Sequence, residues 1–154
     1  MEVDGVGVNL IMTLISEVGM DLSKFPTAKH FVSWLSLSPN HKVSGGKILS
    51  SKTRKNKSRL RQAFKQAAVG VSRKKDCVTA QFYRRMAAKH GKGTAITATA
   101  RKIAIIVYNM LTKGEAYEPQ HLAEYQEKVR IQKIKQVQRT IQKLGIKQDE
   151  LVLG

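Results

Sequence analysis

The chain has 154 residues, 42% of them apolar, which is enough for one domain with a modest core and an appended element. Its formal net charge is +17 and its pI about 10.3, a balance that points to a polyanionic partner. Cys77 is the single cysteine, so a disulfide framework and a cysteine-based metal site within the chain are both excluded, in keeping with a reducing cytosol.

The predicted elements are almost all helical. A first helix spans 8–18 ("VNLIMTLISEV") and stops at Gly19. Thr27 caps a second, "AKHFVSWLSL", which Pro39 ends. Residues 39–55 read as an irregular basic loop with a short extended piece at "KIL". A third helix runs over 58–72, with Leu60, Phe64, Ala67, Ala68 and Val71 on one face. Asp76 is placed to cap a fourth, "CVTAQFYRRMAAKH", closed by Gly91. "GKG" leads into a fifth, "TAITATARKIAIIVYNMLTK", closed by Gly114. Pro119 sets off a last helix over 121–144, with Ile134, Val137, Ile141 and Leu144 at a/d-like spacing that either pairs or docks back. The predicted class is all-α, about five main helices plus a C-terminal one, divided as 1–119 and 120–154. With 6% aromatic residues, aliphatic side chains are expected to carry most of the packing.

Several classes are not expected. Glu2 and Asp4 stand where a signal peptide has its basic region, and no apolar run reaches the ~18 residues of a membrane span. His30, His41, His90 and His121 lack metal-ligand spacing. A cytoplasmic, nucleoid-associated protein with no membrane contact is expected.

The charge is unevenly placed. Between Asp21 and Asp76 lie fourteen Lys or Arg and no carboxylate, whereas from Gly114 onward seven basic residues face six acidic ones. The excess belongs to the body, as in a nucleic-acid footprint. Three places there are candidates. In "VDGVGVNLIM", Gly5 and Gly7 enter a helix as in a helix-hairpin-helix loop, where glycine lets backbone N–H groups approach a phosphate; a tight turn without ligand is the competing reading. Over 52–65, Lys52, Arg54, Lys55, Lys57, Arg61 and Lys65 offer phosphate contacts, against a merely solvated basic face. The third is Ser44 in "HKVSGGK". A serine hydroxyl needs a base or a strongly cationic setting to act as a nucleophile, and phosphoryl transfer rewards neutralised phosphate oxygens. Lys42, Lys47, Lys52 and Arg54 are near enough in sequence to supply charge, and Gly45 and Gly46 allow close approach; a plain turn is the alternative.

In order and spacing, "VDGVGVNLIMTLISEVG", "FPTAKHFVSWLSLSPNHKVSGGK", "TRKNKSRLRQAFKQAA" and "FYRRMAAKHGKGTAITATARKIAIIVYNMLTKGEAYEP" resemble the C-terminal transposase domain of the serine-type insertion-sequence transposases of the IS-one-ten and IS-eleven-eleven groups, whose studied members are guided by a bridge RNA. The resemblance covers roughly residues 3–119. It implies a basic, helix-hairpin-helix-like body that holds DNA and guide RNA, with Ser44 as the nucleophile joined to a DNA 5′-phosphate. It places Arg61 in the family's Leu-Arg pair, beside Leu60, and Lys102 at the basic position of the Ala-Arg-Lys segment, both as nucleic-acid-binding or structural residues. It implies homo-oligomers and a RuvC-like partner domain whose four acidic residues hold magnesium. No counterpart of that domain is in the sequence, so an excised, truncated or domesticated piece, poorly active alone, is expected. Where the family commonly has Gly-Asn before the Leu-Arg helix, this chain has Asn56-Lys57, and Asn tolerates a left-handed turn. The alternatives are a non-catalytic DNA- or RNA-binding module, or a ribosome-associated RNA binder.

Overall fold

The computed structural model describes residues 3–114, 117 and 122–145. The described residues form α1 (Val8–Glu17), α2 (Ala28–Trp34), β1 (Lys42–Ser44), β2 (Lys47–Ser50), α3 (Arg59–Ser72), α4 (Val78–His90), α5 (Lys92–Lys113) and α6 (Leu122–Leu144). The chain divides into two compact units, Met1–Pro119 and Gln120–Gly154. In the first, α5 is the hub: α2, α3 and α4 pack against it, and α1 packs on α3.

The aromatic residues, though few, meet at the centre. Phe31 stacks on Tyr108 at 5.8 Å and takes Phe25 and Phe64 edge-on at 5.2 and 6.2 Å. Leu14, Leu35, Leu60, Val71 and Ile103 surround them, all essentially without solvent contact. Aliphatics fill the shell, but an aromatic knot joins α2, α3 and α5, because large rings remove more apolar area from water per side chain. Tyr108 also donates its hydroxyl to the Phe25 carbonyl at 2.6 Å, tying α5 to the turn before α2. Tyr108→Phe strands that buried carbonyl and is expected to cost about 1–2 kcal/mol, read as a shift of the urea midpoint at constant slope.

Local chemistry explains the element ends, and corrects three expectations. The second helix stops at Trp34, short of Pro39. Ser36 takes φ +55°, the Leu37 N–H returns to the Val32 carbonyl and the Ser36 N–H to that of Ser33, which is a Schellman closure with Leu37 buried beneath it. The fourth helix is capped at Cys77 rather than Asp76, and without a side-chain bond. Asn56 takes no left-handed turn, since Ser36 is the one non-glycine residue of positive φ among those described. Instead the Asn56 side chain shapes the loop: Oδ1 accepts from the Ser58 N–H at 2.9 Å, and Nδ2 donates toward the Trp34 carbonyl and Ser36 Oγ.

Within the expected irregular loop at 39–55, residues 42–50 form an ordered β-hairpin, and the extended piece expected at "KIL" lies in its second strand, β2. Ser44 pairs with Lys47 and Val43 with Ile48, across a two-residue Gly45-Gly46 loop. Both glycines have positive φ, +52° and +74°, the conformation that a primed two-residue hairpin turn demands. The hydrophobic period was too short over 42–44 to announce the first strand, but the Gly-Gly pair is what such a turn needs.

The second unit is described by itself. Its helix α6 is 23 residues long, about 35 Å, with an exposed Arg130–Glu127 ion pair at 3.5 Å and exposed Ile131, Ile134 and Val137. Among the described residues no helix is long and apolar enough to cross a membrane.

Candidate nucleic-acid interface

The hairpin displays Ser44. Its side chain is exposed at the last strand position before the turn, directly across from Lys47. Directly paired residues on one face of a hairpin have Cβ atoms about 5 Å apart, so Lys47 brings positive charge to the hairpin face that carries Ser44. The space where a Cβ on Gly45 or Gly46 would sit is open, with no heavy atom within 4 Å, so a ligand backbone can come close. The opposite hairpin face carries Val43 and Ile48, 59% and 62% exposed, an apolar surface that the sequence reading did not single out.

The base of the hairpin is braced by side chains that the sequence marked for other work or passed over. Pro39 bridges Thr53, and the Asn40 N–H donates to the Lys52 carbonyl. Arg61 turns its guanidinium back into the loop, with Nη1 donating to the Asn56 carbonyl at 3.1 Å and Nη2 to Thr53 Oγ1 at 3.4 Å. The half-buried Arg61 thus has a structural task alongside its predicted phosphate contact. Glu17, from the end of α1, closes the start of α3: its carboxylate accepts from Ser58 Oγ, the Arg59 N–H and the Leu60 N–H at 3.1–3.3 Å. Ser58 Oγ in turn accepts from the Arg61 N–H. A carboxylate is apt there, because the first turn of α3 holds no acidic residue of its own while Arg59 and Arg61 set positive charge on a helix N-terminus.

The basic candidates divide by place. Lys42 and Lys47 are exposed on the hairpin; Lys52, Arg54, Lys55 and Lys57 are exposed on the segment that follows it; Lys65 is half-buried on α3. Lys102 comes from α5, fifty residues after Lys52, yet both line one groove of about 930 Å³. Arg101 lines the same groove and was not among the predicted residues, although it adjoins Lys102 in "ARK". Lys102 Nζ lies 5.1 Å from the centre of the Phe82 ring, and the Arg85 guanidinium lies 5.9 Å from it. Burial, and after it the positive charge of Arg85, pull the Lys102 ammonium below the ordinary lysine range.

Gly5 and Gly7 are not brought to this face. Gly5 lies against Ala67 and Val71, six to ten residues along α3 from Arg61, about 9–15 Å of helix. Gly7 is the exposed N-cap of α1, its carbonyl accepting from the Leu10 and Ile11 N–H groups. Cys77 is buried, and burial raises its thiol above the ordinary range, so it stays protonated and is a poor rival nucleophile. Among the described residues no three of His, Cys, Asp and Glu group as a metal site.

The fold and this surface define a small, basic, mostly helical domain that holds out a serine-tipped hairpin. Residues 1–84 match the family described as Transposase IS116/IS110/IS902 family, more than half the chain, and the protein belongs to that family. The matched stretch contains the hairpin and the whole of α3, while Lys102 lies beyond it. Neither a curated protein nor a solved structure matches the chain.

Proposed function

We propose that this chain is the DNA-binding, serine-bearing half of a transposase, with Ser44 as the nucleophile. The observation that carries the reading is the hairpin itself: an exposed Ser44 beside Lys47, on a glycine turn open to close approach, in a region rich in Lys and Arg. A two-stranded ribbon is also a shape that the major groove admits. Ser44 Oγ attacks a phosphodiester phosphorus as its proton passes to a base, and the bond from phosphorus to the 3′-oxygen breaks. The departing 3′-oxygen takes up a proton, and the 5′-phosphate stays esterified to Ser44. Reversal onto another 3′-OH restores both the serine and a phosphodiester, so no nucleotide triphosphate is consumed. Lys47 and Lys42, on the hairpin with Ser44, offset charge on the phosphate oxygens, while Lys52 and Arg54, at the hairpin base, face phosphates further along the strand.

Among the described residues no hydrogen-bond partner is set against Ser44 Oγ, so the proton acceptor comes from a partner or from solvent. A RuvC-like partner domain, guidance by RNA and self-association belong to the same proposal and rest on family membership. The absence, among the described residues, of a hydrogen-bond partner for Ser44 Oγ favours a second reading, a binding module for DNA or RNA that does no chemistry.

One experiment separates them. The chain is incubated with a RuvC-like partner domain, magnesium and end-labelled DNA, as wild type and as Ser44→Ala. A denaturation-resistant protein–DNA adduct is expected with wild type and is lost completely in the variant, while salt-dependent binding is equal. Equal binding with no adduct from either protein, under conditions where the partner domain is competent, leaves the binding module standing.

A further inference from the structure

The groove shared by Lys52 and Lys102 is larger than a hairpin needs for support. Its 930 Å³ is in the range of sites that enclose a small organic ligand. It opens between α4, α5 and the two legs of the hairpin, Pro39 on one side and Ser51 to Thr53 on the other. Two chemistries meet in it. Leu37, Phe82, Met86 and Ile105 give it an apolar lining, and Lys52, Arg101 and Lys102 supply positive charge. No Asp or Glu is among the described residues that line it. An inorganic anion would leave the apolar surface uncovered, and an apolar peptide would make no use of the positive charge that Lys52 and Arg101 bring to the groove. A nucleotide unit, with a flat base and a charged phosphate, matches both halves.

We propose that this groove takes one unpaired nucleotide of the DNA strand presented to Ser44, its base against Phe82, Met86 and Ile105 and its flanking phosphates at Lys52, Arg101 and Lys102. The inference rests on the DNA-handling reading above and deepens it. Position supports the commitment to that strand. From Pro39 to Ser44 the hairpin leg spans five residues, about 17 Å, or about five stacked nucleotides at 3.4 Å each. A phosphodiester at Ser44 and the mouth of the groove are therefore no more than about five nucleotides apart, within reach of one strand. An apolar wall against a base is a sequence-tolerant contact, and a base that is already unpaired avoids the unstacking that a paired one requires. The depressed basicity of Lys102 fits a cation held partly out of water.

The test uses the full chain and two DNA duplexes, one fully paired and one with a single extrahelical aminopurine, titrated by fluorescence over a salt series. Wild type is expected to bind the bulged duplex about tenfold or more tightly than the paired one, with a change in aminopurine emission. Ala98→Trp, which fills the groove from α5, is expected to remove that preference and leave paired-duplex affinity and salt dependence unchanged. Thr94→Trp, at an exposed position lining the same groove, is a second filler should the first disturb the fold, as judged by circular dichroism melting. Equal salt-dependent affinity for both duplexes overturns the groove proposal alone. So does a preference that survives both fillers, or one shown only by the same bulge in duplex RNA. Absence of salt-dependent binding to either DNA overturns the DNA reading itself, and this inference with it.

Discussion

Glu17→Ala is expected to lower stability by about 2–3 kcal/mol, a fall in melting temperature of roughly 5–10 °C for a chain of this size. The half-buried carboxylate accepts from the Arg59 and Leu60 N–H groups and from Ser58 Oγ, so its removal strips the start of α3 of its acceptor. A lost cap alone costs about 1 kcal/mol. Here the loss is compounded, because the helix N-terminus then faces Lys57, Arg59 and Arg61 with no negative charge beside it. The damage extends to the hairpin. Arg61 reaches Asn56 and Thr53 from the first turns of α3, and Thr53 bridges Pro39 at the hairpin base. Faster proteolysis over 51–58 should accompany the thermal shift. Glu17→Gln keeps one acceptor oxygen and should recover part of the loss. A melting temperature within a degree of wild type in Glu17→Ala would show that water replaces the carboxylate without cost, and the brace would then not depend on it.

Much of the helical frame was legible because its signals are local. Thr27 caps α2, Ser58 caps α3, and Gly91 and Gly114 close α4 and α5, each within a residue or two of the place their type predicts. The family resemblance was also legible, since it depends on the order of motifs along the chain. What escaped was non-local. Glu17 acts forty-one residues away on Ser58, and nothing in its own helix marks it as the cap of another. Asn56 looked like a left-handed turn residue because Asn tolerates one; its side-chain bonds to Ser58, Trp34 and Ser36 shape the loop without it. The groove needed Lys52 and Arg101 to be neighbours, which spacing in the sequence cannot tell. The hairpin fell between these cases. Gly45-Gly46 announced a turn and "KIL" an extended piece, but with only three residues β1 gave periodicity nothing to act on, so the pairing went unread.

Two kinds of glycine now occur in what sequence treated as one kind of phosphate loop, and the difference is measurable. Gly5→Ala is expected to destabilise the chain by about 3 kcal/mol, from overpacking together with backbone strain. Its φ is +86°, and a Cβ there would lie 2.4 Å from Val71 Cγ2 and 2.9 Å from the Ala67 carbonyl oxygen. The Val71 methyl could move, at the cost of a poor rotamer in a fully buried site. The Ala67 oxygen is backbone of α3 and cannot move without shifting the helix. Val71→Ala in the same chain should therefore relieve only the first contact and rescue little. Gly7→Ala is the control: its φ is −101°, and no heavy atom lies within 4 Å of the added carbon. It should cost no more than about 1 kcal/mol, the preference of an N-cap for Gly over Ala. DNA affinity decides what the pair is for. If Gly5 serves packing alone, Gly5→Ala that is still folded at low temperature binds DNA as wild type does, with an unchanged salt slope. A loss of affinity in Gly7→Ala at full stability would instead restore the start of α1 as a phosphate-contacting loop.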